Sequence, residues 1–224
     1  MTESKGPKMN KKSSPTKWIV GGITAAIVVI IAIVLAVGGG SDTANNTSDT
    51  NGTAVSGEFM PVTILEGEAL PPLGDPENDP AQGTKAPVVQ GSGFSGMEMT
   101  IRPAGKPVLL VFLAHWCPHC NAEIPRLIEW QESGQMPEDL VVVGVTTGSR
   151  SDQPNWPPSQ WVQDMEWPWA VLADSEAQDA AIAYGVNGYP GLVLLDGEGT
   201  VLARRSGEAS VSELDVWADT YLGI

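Results

Sequence analysis

Cysteine is nearly absent from this chain, which has only two in 224 residues, Cys117 and Cys120. Two thiols three positions apart cannot brace a fold, because in the chain-entropy model so short a loop contributes only about 2 kcal/mol, against about 4.7 kcal/mol for a loop of about a hundred residues. A disulfide-stapled scaffold is therefore excluded. The pair is better suited to react than to stabilise.

Positive charge is also scarce. The chain has 12 Lys and Arg against 27 Asp and Glu, a formal net charge of −15 at pH 7. A surface with this balance repels phosphate groups, so nucleic acid and anionic lipid are disfavoured as partners. The acidic excess favours a soluble domain with a well-solvated surface.

One apolar run, residues 18–37, carries no charge and only Thr24 as a polar side chain. Its length predicts a single transmembrane helix. The basic residues ahead of it predict a cytoplasmic tail at 1–17 and an extracytoplasmic remainder, in a single-pass cell-membrane protein. They are Lys5, Lys8, Lys11, Lys12 and Lys17. A cleaved signal peptide is the alternative, although the apolar core is long and no clear small-x-small cleavage site follows it.

Three further regions follow the apolar run. Residues 38–57 are rich in Gly, Ser, Thr, Asn and Asp, which predicts a flexible linker. Residues 58–85 are rich in proline and acids, which predicts an irregular extension that lies on the domain, with partial disorder as the alternative. Residues 86–224 form one compact domain, long enough for a single core. An extracytoplasmic location also explains the shortage of cysteine, since an oxidising compartment would engage stray thiols.

The compact domain has the pattern of an α/β fold. Apolar strands are predicted at 108–114 and 140–145, with a helix at 117–133 between them, and this order implies a parallel crossover. The later pattern predicts helices at 159–164, 175–184 and 211–222, and strands at 170–173, 192–195 and 200–204. The last two strands form an antiparallel hairpin.

Short motifs in this domain occur in a recognisable order. They are Ala86-Pro87, Gly105-Lys106-Pro107, Ala114-His115-Trp116, Cys117-Pro118-His119-Cys120, Glu123-Ile124-Pro125, and residues 184–190 and 194–199. Together they resemble the membrane-tethered thioredoxin-fold proteins of the TlpA and ResA type. This resemblance implies a thioredoxin fold, with a central mixed sheet flanked by helices, and thiol–disulfide exchange without a bound cofactor.

The spacing of the two cysteines suits such chemistry. Cys117 would stand at the start of a helix, where free backbone N–H groups and the helix dipole favour a thiolate, and we expect it to be the exposed attacking sulfur. Cys120, one turn deeper, would resolve the mixed disulfide formed with a client. Pro118 suits the first helical position, and a His119 imidazole would favour the thiolate further.

Other roles follow from the resemblance. Pro190 matches the cis-proline that aligns a client beside the attacking sulfur, and Tyr189 occupies the position that tunes potential and client release. Glu123 matches a carboxylate that accepts the proton of the resolving thiol, with an ordinary exposed carboxylate as the alternative. Val111 stands where cytosolic thioredoxins carry a buried aspartate, so that base is absent. Trp116 would belong to the active-site rim.

His115 and the tryptophans of a proline-rich stretch are predicted to have packing roles. His115 is expected to pack at the surface or partly buried. The tryptophans of a proline-rich stretch are expected to pack beneath a long loop, with a client groove as the alternative. They are Trp156, Trp161, Trp167 and Trp169.

The sequence thus predicts an oxidoreductase that exchanges disulfides with exported proteins and is reset by a membrane or soluble redox partner. The Pro118-His119 dipeptide is typical of DsbA-type oxidases and favours an oxidase. The TlpA-like frame and Glu123 favour the alternative, a reductase for cytochrome c maturation or a similar client. A third possibility, of another class, is a copper-binding module that uses Cys117, Cys120, His119 and His115.

Overall fold

The computed structural model describes residues 57–223. Within them the strands are β1 (Thr63–Glu66), β2 (Val88–Ser92), β3 (Glu98–Ile101), β4 (Val108–Leu113), β5 (Val141–Thr146), β6 (Ala170–Ala173), β7 (Gly191–Leu195) and β8 (Val201–Ser206). The helices are α1 (Pro118–Glu132), α2 (Pro158–Asp164), α3 (Asp179–Ala183) and α4 (Val211–Leu222), and a short 3-10 helix covers Pro76–Asn78.

These strands form one mixed sheet in the order β1-β2-β6-β5-β4-β7-β8, with β3 paired to β2. β4, β5 and β6 run parallel, whereas β7 and β8 join as antiparallel neighbours on the other side of β4. The helix α1 connects the parallel strands β4 and β5, as the crossover pattern predicts. The α/β class expected from the sequence is confirmed.

The sheet is covered on both faces, which explains the unbroken apolar run of β4. Leu109, Val111 and Leu113 belong to one buried cluster with side chains of α1 and α4. Leu110 and Phe112 belong to a second cluster with residues of α3 and of the segment that precedes β2. Alternate residues of a strand point to opposite faces, so a strand between two layers has no polar positions. Val111 is fully buried.

The segment 58–85 lies against the domain. β1 pairs with β2 in antiparallel fashion, and the backbone N–H groups of Leu70 and Leu73 donate to the carbonyls of Ala183 and Gly185, both at 2.9 Å. Leu70 is buried. This segment therefore packs on the domain, and β1 is a regular strand within it.

Residues 1–56 and residue 224 lie outside the described residues, and with them the predicted tail at 1–17, the anchor at 18–37 and nearly all of the linker at 38–57. Among residues 57–223, no helix combines the length and the apolar character that crossing a membrane requires.

Candidate active site

The two cysteines lie at the beginning of α1. Cys117 is the N-cap residue in extended conformation, Pro118 takes the first helical position, and Cys120 lies one turn deeper. The Cys117 N–H donates to the Ala114 carbonyl at 2.9 Å, which closes a turn between the end of β4 and the helix. Both cysteines are free thiols here. The sequence prediction that these residues meet at a helix start is borne out by this geometry.

Cys117 is less accessible than the sequence suggests. The residue is only 6% exposed, where an exposed attacking sulfur was expected. Its thiol faces the Tyr189 carbonyl at 3.5 Å. The indole of Trp116 packs edge-on against the Tyr189 ring, with 6.2 Å between the ring centroids. Both side chains are partly buried and pack against the core cluster that contains Cys117.

The segment that faces Cys117 contains the predicted proline. The Tyr189–Pro190 peptide bond is cis, as the resemblance implies. Pro190 is buried, and the Tyr189 hydroxyl donates to the side-chain carbonyl of Gln178 at 2.7 Å. The carbonyl that precedes cis-Pro190 is thus the backbone group that faces the Cys117 sulfur.

Cys120 is completely buried. Burial raises the pKa of its thiol far above the usual range, and the neighbouring Cys117 and Glu123 act in the same direction. The second sulfur of the motif is consequently held as a thiol when the pair is reduced. A group that removes its proton is needed before it can attack a mixed disulfide.

Glu123 lies three residues after Cys120 on the same helix. Its side chain is fully buried, so the alternative of an ordinary exposed carboxylate is wrong. Oε2 accepts the Ala209 N–H at 2.8 Å, while Oε1 has no hydrogen-bond partner among the described residues. Burial raises the pKa of the Glu123 carboxyl despite that hydrogen bond and the nearby Arg126 and Arg205. A carboxyl with a raised pKa and a free oxygen is suited to accept a proton from a neighbouring acid.

His119 lies on the outer side of the motif. Its side chain is 64% exposed, and Nδ1 is 3.7 Å from Oε1 of Glu208. Glu208 also pairs with Arg126 at 3.0 Å. The imidazole thus belongs to a surface group of charges beside the active-site helix, and its effect on the redox potential stays a prediction.

His115 is the functional candidate that sequence reasoning misplaced. It is completely buried, not at the surface or partly buried. Nδ1 lies 2.6 Å from the Pro154 carbonyl oxygen, and Nε2 accepts the Arg150 N–H at 3.1 Å. Burial lowers the pKa of the imidazole. The only sequence signal was its position directly between a buried strand and the cysteine motif.

The tryptophans of the proline-rich stretch mostly pack inside, as expected. Trp161 is 3% exposed and donates its indole N–H to Asn121 at 2.9 Å. Trp167 and Trp169 pack edge-on with their centroids 4.8 Å apart, against the core cluster of α1. Trp156 differs, because it is 36% exposed and lies over His115 with 5.8 Å between the rings.

The donor atoms needed for a metal do not converge in the part of the chain that the structure covers. Residues 57–223 contain no cluster of three or more His, Cys, Asp or Glu side chains arranged to hold a metal ion. Both ring nitrogens of His115 are already engaged, and His119 faces Glu208. The geometry therefore gives no support to the copper-binding alternative.

Comparison with known proteins agrees with this geometry. The chain is 29% identical over 104 residues to the thiol:disulfide interchange protein DsbE of Pasteurella multocida, an alignment that covers 46% of this chain and 52% of that protein. The chain thus spans about half the length of the curated relatives it matches first.

Two solved structures share the fold. One is the thioredoxin domain of a thiol-disulfide oxidoreductase from Bacteroides vulgatus (TM-score 0.51, 23% identity, 63% of this chain and 97% of that chain). The other is a thiol:disulfide interchange protein of the thioredoxin family from Chlorobium tepidum (TM-score 0.51, 22% identity, 64% and 99%). The described domain therefore has the thioredoxin fold. The sequence profile of the AhpC/TSA family matches residues 78–204, more than half of the chain, and the chain belongs to that family.

Proposed function

We propose that this protein is a thiol–disulfide oxidoreductase that exchanges disulfides with other proteins through Cys117 and Cys120, without a bound cofactor. One observation carries the proposal: the Cys117 sulfur lies at the start of α1, 3.5 Å from the carbonyl that precedes cis-Pro190, with Cys120 buried one turn deeper. The similar protein DsbE of Pasteurella multocida, named for thiol:disulfide interchange, supports the same chemistry.

In the oxidising direction the cycle begins with a disulfide between Cys117 and Cys120. A client thiolate attacks the Cys117 sulfur, which forms a mixed disulfide and releases Cys120 as a thiolate that takes up a proton. A second client thiolate attacks the client sulfur of that mixed disulfide and releases Cys117. The client gains a disulfide and loses two protons and two electrons, and the motif gains both.

The reducing direction uses the same atoms in reverse. The Cys117 thiolate attacks a client disulfide, and Cys120 then attacks the Cys117 sulfur of the mixed disulfide. Cys120 must lose its proton for that step, although burial raises the pKa of its thiol. The free Oε1 of Glu123 is the acceptor that the buried site offers.

For the direction of electron flow we favour an oxidase. His119, in the Pro-His dipeptide, places an imidazole at the helix start, where a cationic or hydrogen-bonding ring would stabilise the reduced motif and so make the disulfide more oxidising. Glu123, which matches the acidic residue of TlpA and ResA relatives, favours the second candidate, a reductase for cytochrome c maturation or a similar client.

The location belongs to the proposal as well. The apolar run at 18–37 and the basic residues before it support a domain tethered outside the cell membrane. Clients would then be exported proteins, and a membrane or soluble redox partner would reset the motif.

The test is the reduction potential of the Cys117–Cys120 pair in the full chain, equilibrated against glutathione buffers. A value near about −120 mV would support the oxidase, and one near about −270 mV the reductase. Failure of the pair to equilibrate with glutathione at all would contradict the exchange function itself. Cys120→Ser should accumulate a mixed disulfide with client peptides at Cys117, and Cys117→Ser should not.

A further inference from the structure

The imidazole of His115 is hydrogen-bonded on both sides by backbone groups of one loop, residues 147–157, which joins β5 to α2. Pro154 presents a carbonyl to Nδ1 at 2.6 Å, and Arg150 presents an N–H to Nε2 at 3.1 Å. A carbonyl can only accept and an amide N–H can only donate, so the ring carries its proton on Nδ1 and a lone pair on Nε2. Both contacts are satisfied only by this neutral tautomer.

The backbone of His115 ties the same loop to the active-site helix. Its carbonyl oxygen accepts from the side-chain amide of Asn155 in the loop at 2.8 Å and from that of Asn121 in α1 at 3.4 Å. The Asn121 amide also donates to the Cys117 carbonyl at 2.8 Å. His115 therefore lies where the loop, the end of β4 and the start of α1 meet.

The loop also contacts Trp116, which precedes Cys117 in the chain, and Tyr189, whose carbonyl faces the Cys117 sulfur. The Gly148 carbonyl accepts the indole N–H of Trp116 at 2.8 Å, and the Trp116 ring packs against Tyr189. Gly148 has a φ of +57°, and a Cβ added there would lie 2.9 Å from the Tyr189 hydroxyl, so the loop backbone fits closely against that side chain. A shift of the loop would move Trp116 and Tyr189 together.

The outer side of the loop is fixed by the N-terminal segment. Phe59 packs near Trp156 with ring centroids 6.2 Å apart, and Trp156 lies over His115. Glu58 accepts from the backbone N–H and the hydroxyl of Ser159 at 2.9 and 2.7 Å. Glu58 is the charged group that acts on the imidazole, while the Arg150 guanidinium is directed to Asp152. The loop is thus held from both sides, and His115 contributes both of its ring nitrogens and its carbonyl to the side nearer the motif.

We propose that His115 is a positioning residue, which holds the 147–157 loop against the start of α1 and thereby sets the client-binding surface formed by Trp116 and Tyr189 beside Cys117. The inference rests on the proposed exchange function. The proposed role is in client binding, because the His115 hydrogen bonds go to the loop and to Asn121 and not to either sulfur.

The state of the ring can be observed directly, because the full chain has only two histidines. Ring nitrogen and carbon NMR spectra should show one histidine with the proton on Nδ1, assigned to His115 by its loss in His115→Asn. The other set of ring signals belongs to the exposed His119 and should be lost in His119→Asn. A charged His115 ring at neutral pH, or a proton on Nε2, would overturn the inference whatever the activity.

The kinetic test compares a large probe with a small one. The oxidised full chain is mixed with a reduced dithiol peptide or with dithiothreitol, which is too small to need a binding surface. His115→Ala should raise the half-saturating concentration of the peptide about tenfold, as expected for two lost hydrogen bonds, with the limiting rate retained. Its rate with dithiothreitol should stay within about twofold of the wild-type rate.

The conservative variants separate positioning from loss of structure. His115→Asn keeps a donor where Nδ1 lies, and His115→Gln can keep an acceptor where Nε2 lies, so each should recover part of the peptide affinity. Ser151→Ala, at an exposed position of the same loop, is the matched control and should leave the peptide-to-dithiothreitol ratio unchanged. Equal losses with both probes, or unchanged peptide affinity in His115→Ala, would overturn the inference. A wild-type protein that reacts with neither probe would instead refute the exchange function.

Discussion

Burial raises the pKa of both residues between which the proposed cycle transfers a proton. Cys120 and Glu123 are both fully buried, and burial raises the pKa of each. The two shifts are complementary, since a thiol that keeps its proton needs a base nearby whose own affinity for protons is increased. The position of Glu123, three residues after Cys120, could be read from the sequence. Its burial could not, because α4 and the loop before it cover that face only in the folded chain.

Replacing Glu123 by Gln should therefore slow resolution and leave attack intact. The amide can still accept the Ala209 N–H but cannot take a proton, so conversion of the mixed disulfide should fall by about a hundredfold. Acid-quenched single-turnover reactions of the reduced protein with a disulfide peptide would measure both steps. Glu129→Gln, at an exposed position of the same helix, is the control. An equal slowing in both variants would argue against a proton-transfer role.

The buried thiol also predicts how stability depends on pH. In the folded reduced protein the pKa of Cys120 is raised, so the folded state keeps a proton that the unfolded state loses above about pH 8.5. Stability should accordingly fall as pH rises above that value. Urea unfolding between neutral pH and about pH 10 would show the slope. The disulfide form has no thiol to titrate and Cys120→Ala removes this one, so both should show a smaller slope, and equal slopes would contradict the assignment.

At the scale of elements, the sequence predicts best where local signals agree with packing. β6 and α4 have the predicted bounds, and α4 begins with a capping box formed by Ser210 and Glu213. α3 is shorter than the predicted 175–184, because Gln178 is left-handed and the buried Asp174 carboxylate accepts the N–H groups of Ala180 and Ala181. β1, β2 and β3 were not predicted, since their pairing partners lie far apart along the chain or in short polar segments.

The capping box of α4 gives a prediction at this scale. Ser210→Ala removes the acceptor for the Glu213 N–H at 3.3 Å and should lower the free energy of unfolding by about 1 kcal/mol. For a domain of this size the melting temperature should fall by about 2 to 4 °C. Calorimetry of the two proteins would measure it, with Ser151→Ala at an exposed turn as the control. No difference between the variants would mean that water caps the helix equally well.

At the scale of the molecule, the segment before β2 is joined to strand β8 by a buried ion pair. Arg204 of β8 donates from Nε to Asp79 at 2.7 Å, and both side chains are 1% exposed. Its Nη1 also donates to the carbonyls of Pro71 and Tyr184, both at 2.9 Å. Asp79 and Arg204 lie 125 positions apart, and no local pattern in the sequence connects them, so this ion pair could not be predicted. The pair fixes Tyr184, where the chain turns toward cis-Pro190.

Asp79→Ala should therefore destabilise the segment before β2 that Arg204 holds against the sheet. Removing one member of a buried pair leaves an uncompensated charge, so the free energy of unfolding should fall by about 3 to 5 kcal/mol. Lys85→Ala, which breaks an exposed pair with Glu198, should cost less than about 1 kcal/mol. Hydrogen exchange gives the sharper test, because the amides of Leu70 and Leu73 bond to the same turn that Arg204 holds. They should lose protection before the amides of β4 and β5. If all of these amides exchange together, the segment unfolds only with the whole domain and is an integral part of its core.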